Sequence, residues 1–191
     1  MRESLAVNQW KNSSSVIEWF KGINNKSNYT FSVFDIKDFY PSITESLLKK
    51  TIDFARRQVG ISEENIEIIY YARKSLLFNE GSTWIKKNGG LFDVTMGAFD
   101  GAEICELVGT FIIDIIGTKY KKEDVGLYRD DGLAVFKNLS GPENERIKKD
   151  FQKIFKENGL DIIIQCNMKI VDYLDLTLNL NVCPHLCSAS W

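Results

Sequence analysis

Two adjacent aspartates, Asp130 and Asp131, interrupt an otherwise apolar, β-prone run from Val125 to Phe136 (VGLYRDDGLAVF). Gly132 follows them at once. Asp-Gly between such runs is a hairpin signal, so the spacing predicts two carboxylates at a tight turn. Held side by side they repel each other unless something neutralises them, and a divalent cation is the usual partner for such oxygen donors. Alone, the triplet reads most simply as a solvated turn, because Asp and Gly are ordinary turn residues. A third carboxylate changes that reading. Asp35 stands at the end of another β-prone run, in FSVFDIKDFYPSI. If that strand and the hairpin are neighbours in one sheet, Asp35, Asp130 and Asp131 converge at one edge. Three carboxylates there can hold two magnesium ions, one beside an attacking oxygen and one on a leaving phosphate. Oxygen ligands without a nearby histidine favour magnesium or manganese over zinc.

The elements that must position these groups follow from periodicity. Residues 29–36 (YTFSVFDI) are dense in β-branched and aromatic side chains on both faces, the pattern of a buried central strand. Pro41 breaks the extended run. Ser42 and Glu45 have capping-box spacing, which predicts a helix to about Val59 with Gly60 behind it. Ser62 is placed to cap a second helix running through Ile66, Ile69, Tyr70 and Leu77. Residues 84–87 and 91–94, joined by Asn88-Gly89-Gly90, read as a short hairpin. Ile104, Leu107, Val108, Phe111, Ile112 and Ile115 mark an amphipathic helix over 98–116. Ser140, Pro142 and Glu143 start another, running through Ile147, Phe151, Ile154 and Phe155 to Asn158, with Gly159 closing it. Strand-like stretches follow at 160–166 and 170–181. Val16 to Phe20 suggest a short helix, and the rest of the first 28 residues gives little. Strands interleaved with helices in this order predict an α+β fold, an antiparallel sheet with helices packed on one face.

Composition sets the outer bounds. A chain of 191 residues can bury one sizeable core, and 44% hydrophobic with 26% charged residues is ordinary for a globular domain. No apolar run approaches membrane-spanning length, and residues 1–12 lack the apolar core of a signal peptide. Four scattered cysteines do not form a disulfide framework, which points to a reducing, intracellular setting. Cys183-Pro-His-Leu-Cys187 offers three zinc ligands, one short of a closed site. The net charge of −2 argues mildly against nucleic-acid binding, since such domains are commonly basic.

Taken together, these motifs resemble the palm domain of reverse transcriptases, with a ferredoxin-like βαββαβ core, over residues 29–181. FDIKDFYPSI is similar to the family's first catalytic motif, TMGAFDGAE to its glycine-containing second motif, and LYRDDG to its Asp-Asp motif. The segment from Ile147 to Leu160, followed by Lys169, resembles the fourth motif, and VDYLDLTLNL the hairpin that grips the primer. The wording is closest to Penelope-like and related animal retroelement enzymes. The resemblance implies RNA-templated DNA synthesis, with an RNA template, a DNA primer, deoxynucleoside triphosphates and two Mg2+ (or Mn2+) ions. It implies Asp35, Asp130 and Asp131 as catalytic carboxylates and metal ligands, with the carbonyl of Ile36 as a further ligand. It implies nucleotide contacts from the backbone of Asp38 and Phe39, from Met96 and Gly97, and from Lys169 as a proton donor to pyrophosphate. Tyr40 would lie under the sugar, where a flat ring leaves no room for a 2′-hydroxyl. RNA-templated RNA polymerases tend to carry an aspartate at that spacing instead.

The departures matter equally. The resemblance calls for a basic fingers region before the first motif and a helical thumb after the primer-grip hairpin. Residues 1–28 read as a remnant of the former, and residues 182–191 (VCPHLCSASW) as an irregular tail with no thumb periodicity. The expectation is the palm of a truncated retroelement polymerase, its missing parts being those that carry positive charge. The alternative is a non-catalytic relic, a folded palm that at most binds divalent metal.

Overall fold

A computed structural model describes residues 7–74, 77–85 and 90–181. The chain opens with a two-residue strand β1 (Asn8–Gln9) and helix α1 (Ser13–Gly22), then enters the central strand β2 (Tyr29–Ile36). A short helix α2 (Phe39–Ser42) leads to α3 (Glu45–Gln58) and α4 (Glu63–Ala72). A small hairpin, β3 (Leu77–Asn79) with β4 (Ser82–Trp84), precedes the long helix α5 (Gly101–Ile116). The second half runs β5 (Val125–Tyr128), β6 (Asp131–Lys137), α6 (Gly141–Glu157), β7 (Ile162–Met168) and a final hairpin of β8 (Ile170–Tyr173) and β9 (Leu176–Asn179).

The main sheet has the strand order β1-β5-β6-β2-β7. Its pairings are antiparallel except β1 with β5, which is parallel, so the sheet is mixed rather than purely antiparallel. β2 is central, as its doubly apolar sequence predicts, and alternation sends its side chains into two different cores. Phe34 and Ile36 join Leu47, Leu48 and Ile52 of α3, Ile104, Val108 and Ile112 of α5, and Phe151 and Phe155 of α6. Phe31 instead joins Leu133 and Val135 of β6, Val171, Tyr173, Leu176 and Leu178 of the final hairpin, and Trp10 and Val16. The three long helices thus cover one face, as expected, while the other face carries the final hairpin and α1.

Several boundaries differ from the expectations, each for a local reason. The cap of α3 is Thr44, whose side chain accepts from the Leu47 N–H; Ser42 is taken up in α2 and donates its hydroxyl to the Lys37 carbonyl at 3.3 Å. Ser62 caps α4 as predicted, but that helix stops at Ala72. The hairpin lies at 77–84, not at 84–94; Phe92 bridges to Lys74 instead, and residues 86–89 are outside the described ones. The helix start expected at Ser140 is observed, and a capping box with Glu143 closes it. The leading segment is joined to the sheet: Asn8 and Gln9 pair with Gly126 and Leu127, and Trp10 and Val16 are buried. A two-residue strand carries no periodic signal, so this attachment was invisible in the sequence.

Gly132 is not the turn glycine that Asp-Gly suggested. It lies within β6 directly opposite Phe34, and a Cβ there would fall inside the Phe34 ring. Overpacking of this kind costs typically 1–3 kcal/mol. Gly132→Ala is therefore expected to lose about 2–3 kcal/mol in urea denaturation. Part of that loss should vanish in the Phe34→Leu background, a coupling on the order of 1 kcal/mol in a double-mutant cycle.

Candidate functional site

Parity along two paired strands sets the site. Asp35 shares the face of Phe31 and Val33, and Asp131 shares that of Leu133 and Val135, so both belong to the face that carries the final hairpin. The register makes them direct cross-strand partners. Opposed residues of an antiparallel pair have Cα atoms roughly 4.5–5.5 Å apart, which brings these two like charges together without any loop to separate them. The turn between β5 and β6 is Arg129-Asp130, with Tyr128 opposite Asp131 closing it. Arg129 adopts a left-handed φ of 55° there, and its guanidinium lies 5.5 Å from the Tyr128 ring centroid. Asp130 is tied to the end of β2, its carbonyl accepting from the Ile36 N–H at 3.0 Å.

The electrostatics follow. Burial and then the neighbouring Asp130 charge push the Asp35 carboxyl above the usual range. Asp131 is raised by burial first, then by Asp130 and Asp35. The donor set, carboxylate oxygens in mutual repulsion, suits a hard divalent cation. It is not a closed cage, for among the described residues no three His, Cys, Asp or Glu side chains gather tightly enough to hold an ion alone. Magnesium commonly binds through one or two carboxylates plus substrate phosphates, which such an open arrangement fits.

Other sequence-predicted residues are distributed unevenly. Asp38 takes a left-handed φ of 46° as it leads into α2, where Phe39 is buried. Tyr40 is only 8% exposed, so most of its ring belongs to the core. Burial raises its hydroxyl pKa, Cys105 beside it adds to the rise, and Arg129 opposes it. Gly101, at the start of α5, is required by the Thr95 carbonyl, which a Cβ there would meet at 2.6 Å, while Tyr40 Cε1 would stand at an ordinary contact distance of 3.6 Å. Met96 and Gly97 lie in the loop just before, Met96 exposed and Gly97 at a φ of 87° that explains the glycine. That loop is anchored by the buried Arg73, which pairs with Asp100 and accepts from the Asp93 N–H through its carbonyl.

Lys169 is a correction. Its ammonium donates to the carbonyls of Ser27 (2.8 Å) and Tyr29 (2.6 Å) and to Asn138 Oδ1 (2.7 Å). Tyr29 begins the strand that Asp35 nearly ends, so at roughly 3.3 Å per residue the lysine is about 20 Å from the carboxylates. It straps the far end of the sheet and does not reach leaving pyrophosphate. Cys183, His185 and Cys187 lie outside the described residues. Sequence reasoning missed Tyr173, whose hydroxyl donates to the Asp131 carbonyl at 2.7 Å, and the Arg73–Asp100 pair. Only tertiary proximity distinguishes either from an ordinary polar residue.

Comparison with known proteins places the fold in a class. The apo telomerase of Candida tropicalis, truncated from its C-terminal domain, superposes with a TM-score of 0.64 at 15% identity, covering 91% of this chain and 39% of that one. Telomerase of Candida albicans, in complex with a fragment of telomeric RNA, gives 0.65 at 14%, covering 93% and 35%. The RNA-dependent RNA polymerase of a human picobirnavirus gives 0.63 at 12%, covering 90% and 34%. The fold is thus an α+β polymerase palm. The chain spans little more than a third of the length of these structures. No family model matches the sequence, and no curated protein does. Among the described residues no helix is long and apolar enough to cross a membrane.

The raised carboxyls give a signed pH dependence. A carboxyl whose folded pKa exceeds its unfolded one favours the fold fully below the unfolded value of 3.8, and that contribution is lost as pH rises through the folded value. In chelator at about pH 7 the charged pair is therefore a burden on the fold. Asp131→Asn should melt higher than wild type there, by on the order of 1 kcal/mol or less because solvent screens the site. The difference should shrink toward zero below about pH 4, as read from thermal melts across pH.

Proposed function

We propose that this chain is the palm of an RNA-templated DNA polymerase that extends a DNA primer with deoxynucleoside triphosphates. The observation that carries the reading is the cross-strand pairing of Asp35 with Asp131, with Asp130 on the adjoining turn, at the end of a palm-fold sheet. Bound at that pair, two Mg2+ or Mn2+ ions would activate the primer 3′-hydroxyl and neutralise the departing pyrophosphate. Asp35, Asp130 and Asp131, with the carbonyl of Ile36, would hold them. The backbone at Asp38 and Phe39 and the loop of Met96 and Gly97 would border the nucleotide. Tyr40 supports deoxynucleotide over ribonucleotide, since an aromatic at that spacing crowds a 2′-hydroxyl. Lys169 has no part in this reading. The retroelement origin, closest to Penelope-like enzymes, is part of the same proposal.

A second reading is favoured by the open geometry: with no three-ligand cluster preformed among the described residues, the palm could bind one divalent ion and catalyse nothing. Two measurements separate the readings. Manganese should raise the melting temperature of wild type, by an amount equivalent to about 2.7 kcal/mol at a hundredfold excess over Kd, and should not raise that of Asp130→Asn. An equal shift in both would place the metal elsewhere. Residues 7–181, set between the fingers and thumb of another palm-bearing polymerase, should then extend a labelled primer on an RNA template. Asp35→Ala or Asp130→Ala should cut that extension by roughly a thousandfold or more, as loss of several kcal/mol of charge stabilisation implies. A folded, metal-binding graft without synthesis would establish the non-catalytic reading.

A further inference from the structure

Tyr173 is 3% exposed, in the final hairpin, yet its hydroxyl reaches across 42 residues of sequence to the carbonyl of Asp131 at 2.7 Å. That carbonyl belongs to one of the two paired carboxylate residues. The ring is held edge-on against Trp10, with centroids 5.6 Å apart. Trp10 in turn lies over Gly126 of β5, where a Cβ would collide with its ring, and the Trp10 backbone N–H donates to the Leu127 carbonyl at 2.9 Å. The two strands of the aspartate hairpin are therefore gripped from the same face, β5 by Trp10 and β6 by Tyr173. A residue needing only to fill this core could be Phe; the hydroxyl is used on the aspartate backbone.

We propose that Tyr173 is a positioning residue, its hydroxyl fixing the Asp131 backbone and so coupling the 170–179 hairpin to the affinity of the carboxylate pair for a divalent cation. This rests on the two-metal reading above. A hydrogen bond to a carbonyl restrains the peptide plane and with it the direction of the adjoining Cα–Cβ bond. A ligand must be held within about 0.5 Å and 10–20° to be effective. Outer partners of metal ligands are typically worth ten- to a hundredfold in metal affinity, and one acting through backbone belongs at or below the low end. Displacement of the hairpin would pull on Asp131 through this bond, so whatever the hairpin contacts can alter metal occupancy.

The test uses the full chain and manganese alone, with free ion counted by electron paramagnetic resonance. Tyr173→Phe keeps the ring and removes the bond. Leu178→Val, on the buried side of the same hairpin, loosens packing without touching the bond. Tyr173→Phe should weaken manganese binding about three- to tenfold. Its melting temperature in chelator should fall no further than that of Leu178→Val, which should bind manganese like wild type. Equal affinity of Tyr173→Phe and wild type would overturn the proposal while leaving the metal reading intact. Equal weakening by Leu178→Val, or a Tyr173→Phe chain that does not fold, would assign the hydroxyl to the fold alone. Absence of manganese binding by wild type would remove the metal reading itself.

Discussion

The structure is organised around a repulsion. Asp35 and Asp131 are opposed across an antiparallel pair, and like charges in that position oppose the sheet that holds them. They cannot turn away, because strand parity is set by the rest of β2. Phe34 and Ile36 are buried against the long helices, so Asp35 must face the other way. Slipping the register by one residue would put Phe31 among the helices and take Phe34 and Ile36 out of the helix-covered core, a mispacking of both faces. The hydrophobic alternation is therefore what forces the carboxylates together.

Close backbone approach completes the constraint. Gly132 lets the Phe34 ring lie over β6, and Gly126 lets Trp10 lie over β5, so the strands of the aspartate hairpin are packed from opposite faces by aromatic rings. Phe34 is itself held by Phe151 and Phe155 of α6, at 5.4 and 5.5 Å between centroids. The turn of Arg129 and Asp130 is thus carried by strands with little freedom, the condition under which an unfavourable charge cluster persists. Such a cluster weakens the fold, and under the proposed metal reading a cation would offset that cost.

The two ends of β2 have opposite characters. At its start Lys169 satisfies three oxygen acceptors and closes the sheet, including the carbonyl of Tyr29. At its end the aspartates accept no comparable cation from the described side chains; Arg129, the nearest basic residue in sequence, lies against Tyr128. A lysine is thus spent on structure at one end while the other is left electronegative. Sequence distance misleads here, since motif order suggested that Lys169 joins the site.

Much of this was legible in the residues. The run YTFSVFDI determined a central strand, because apolar side chains on both faces have no other place in a sheet. The spacing of apolar residues in 104–115 and 147–155 determined two amphipathic helices, and Ser140 with Glu143 fixed where one begins. The types of Asp35, Asp130 and Asp131 supplied carboxylate oxygens, the donors on which the proposed metal chemistry rests. Tertiary structure alone decided the remainder. It made Gly132 a packing residue and not a turn residue, since only the fold brings Phe34 over it. It joined Asn8 and Gln9 to the sheet, a contact too short to leave a period. It buried most of Tyr40 and carried Lys169 to the far end. It also brought the Tyr173 hydroxyl to the Asp131 carbonyl. Periodicity reports which face of an element is apolar, whereas these outcomes depend on which other element that face meets.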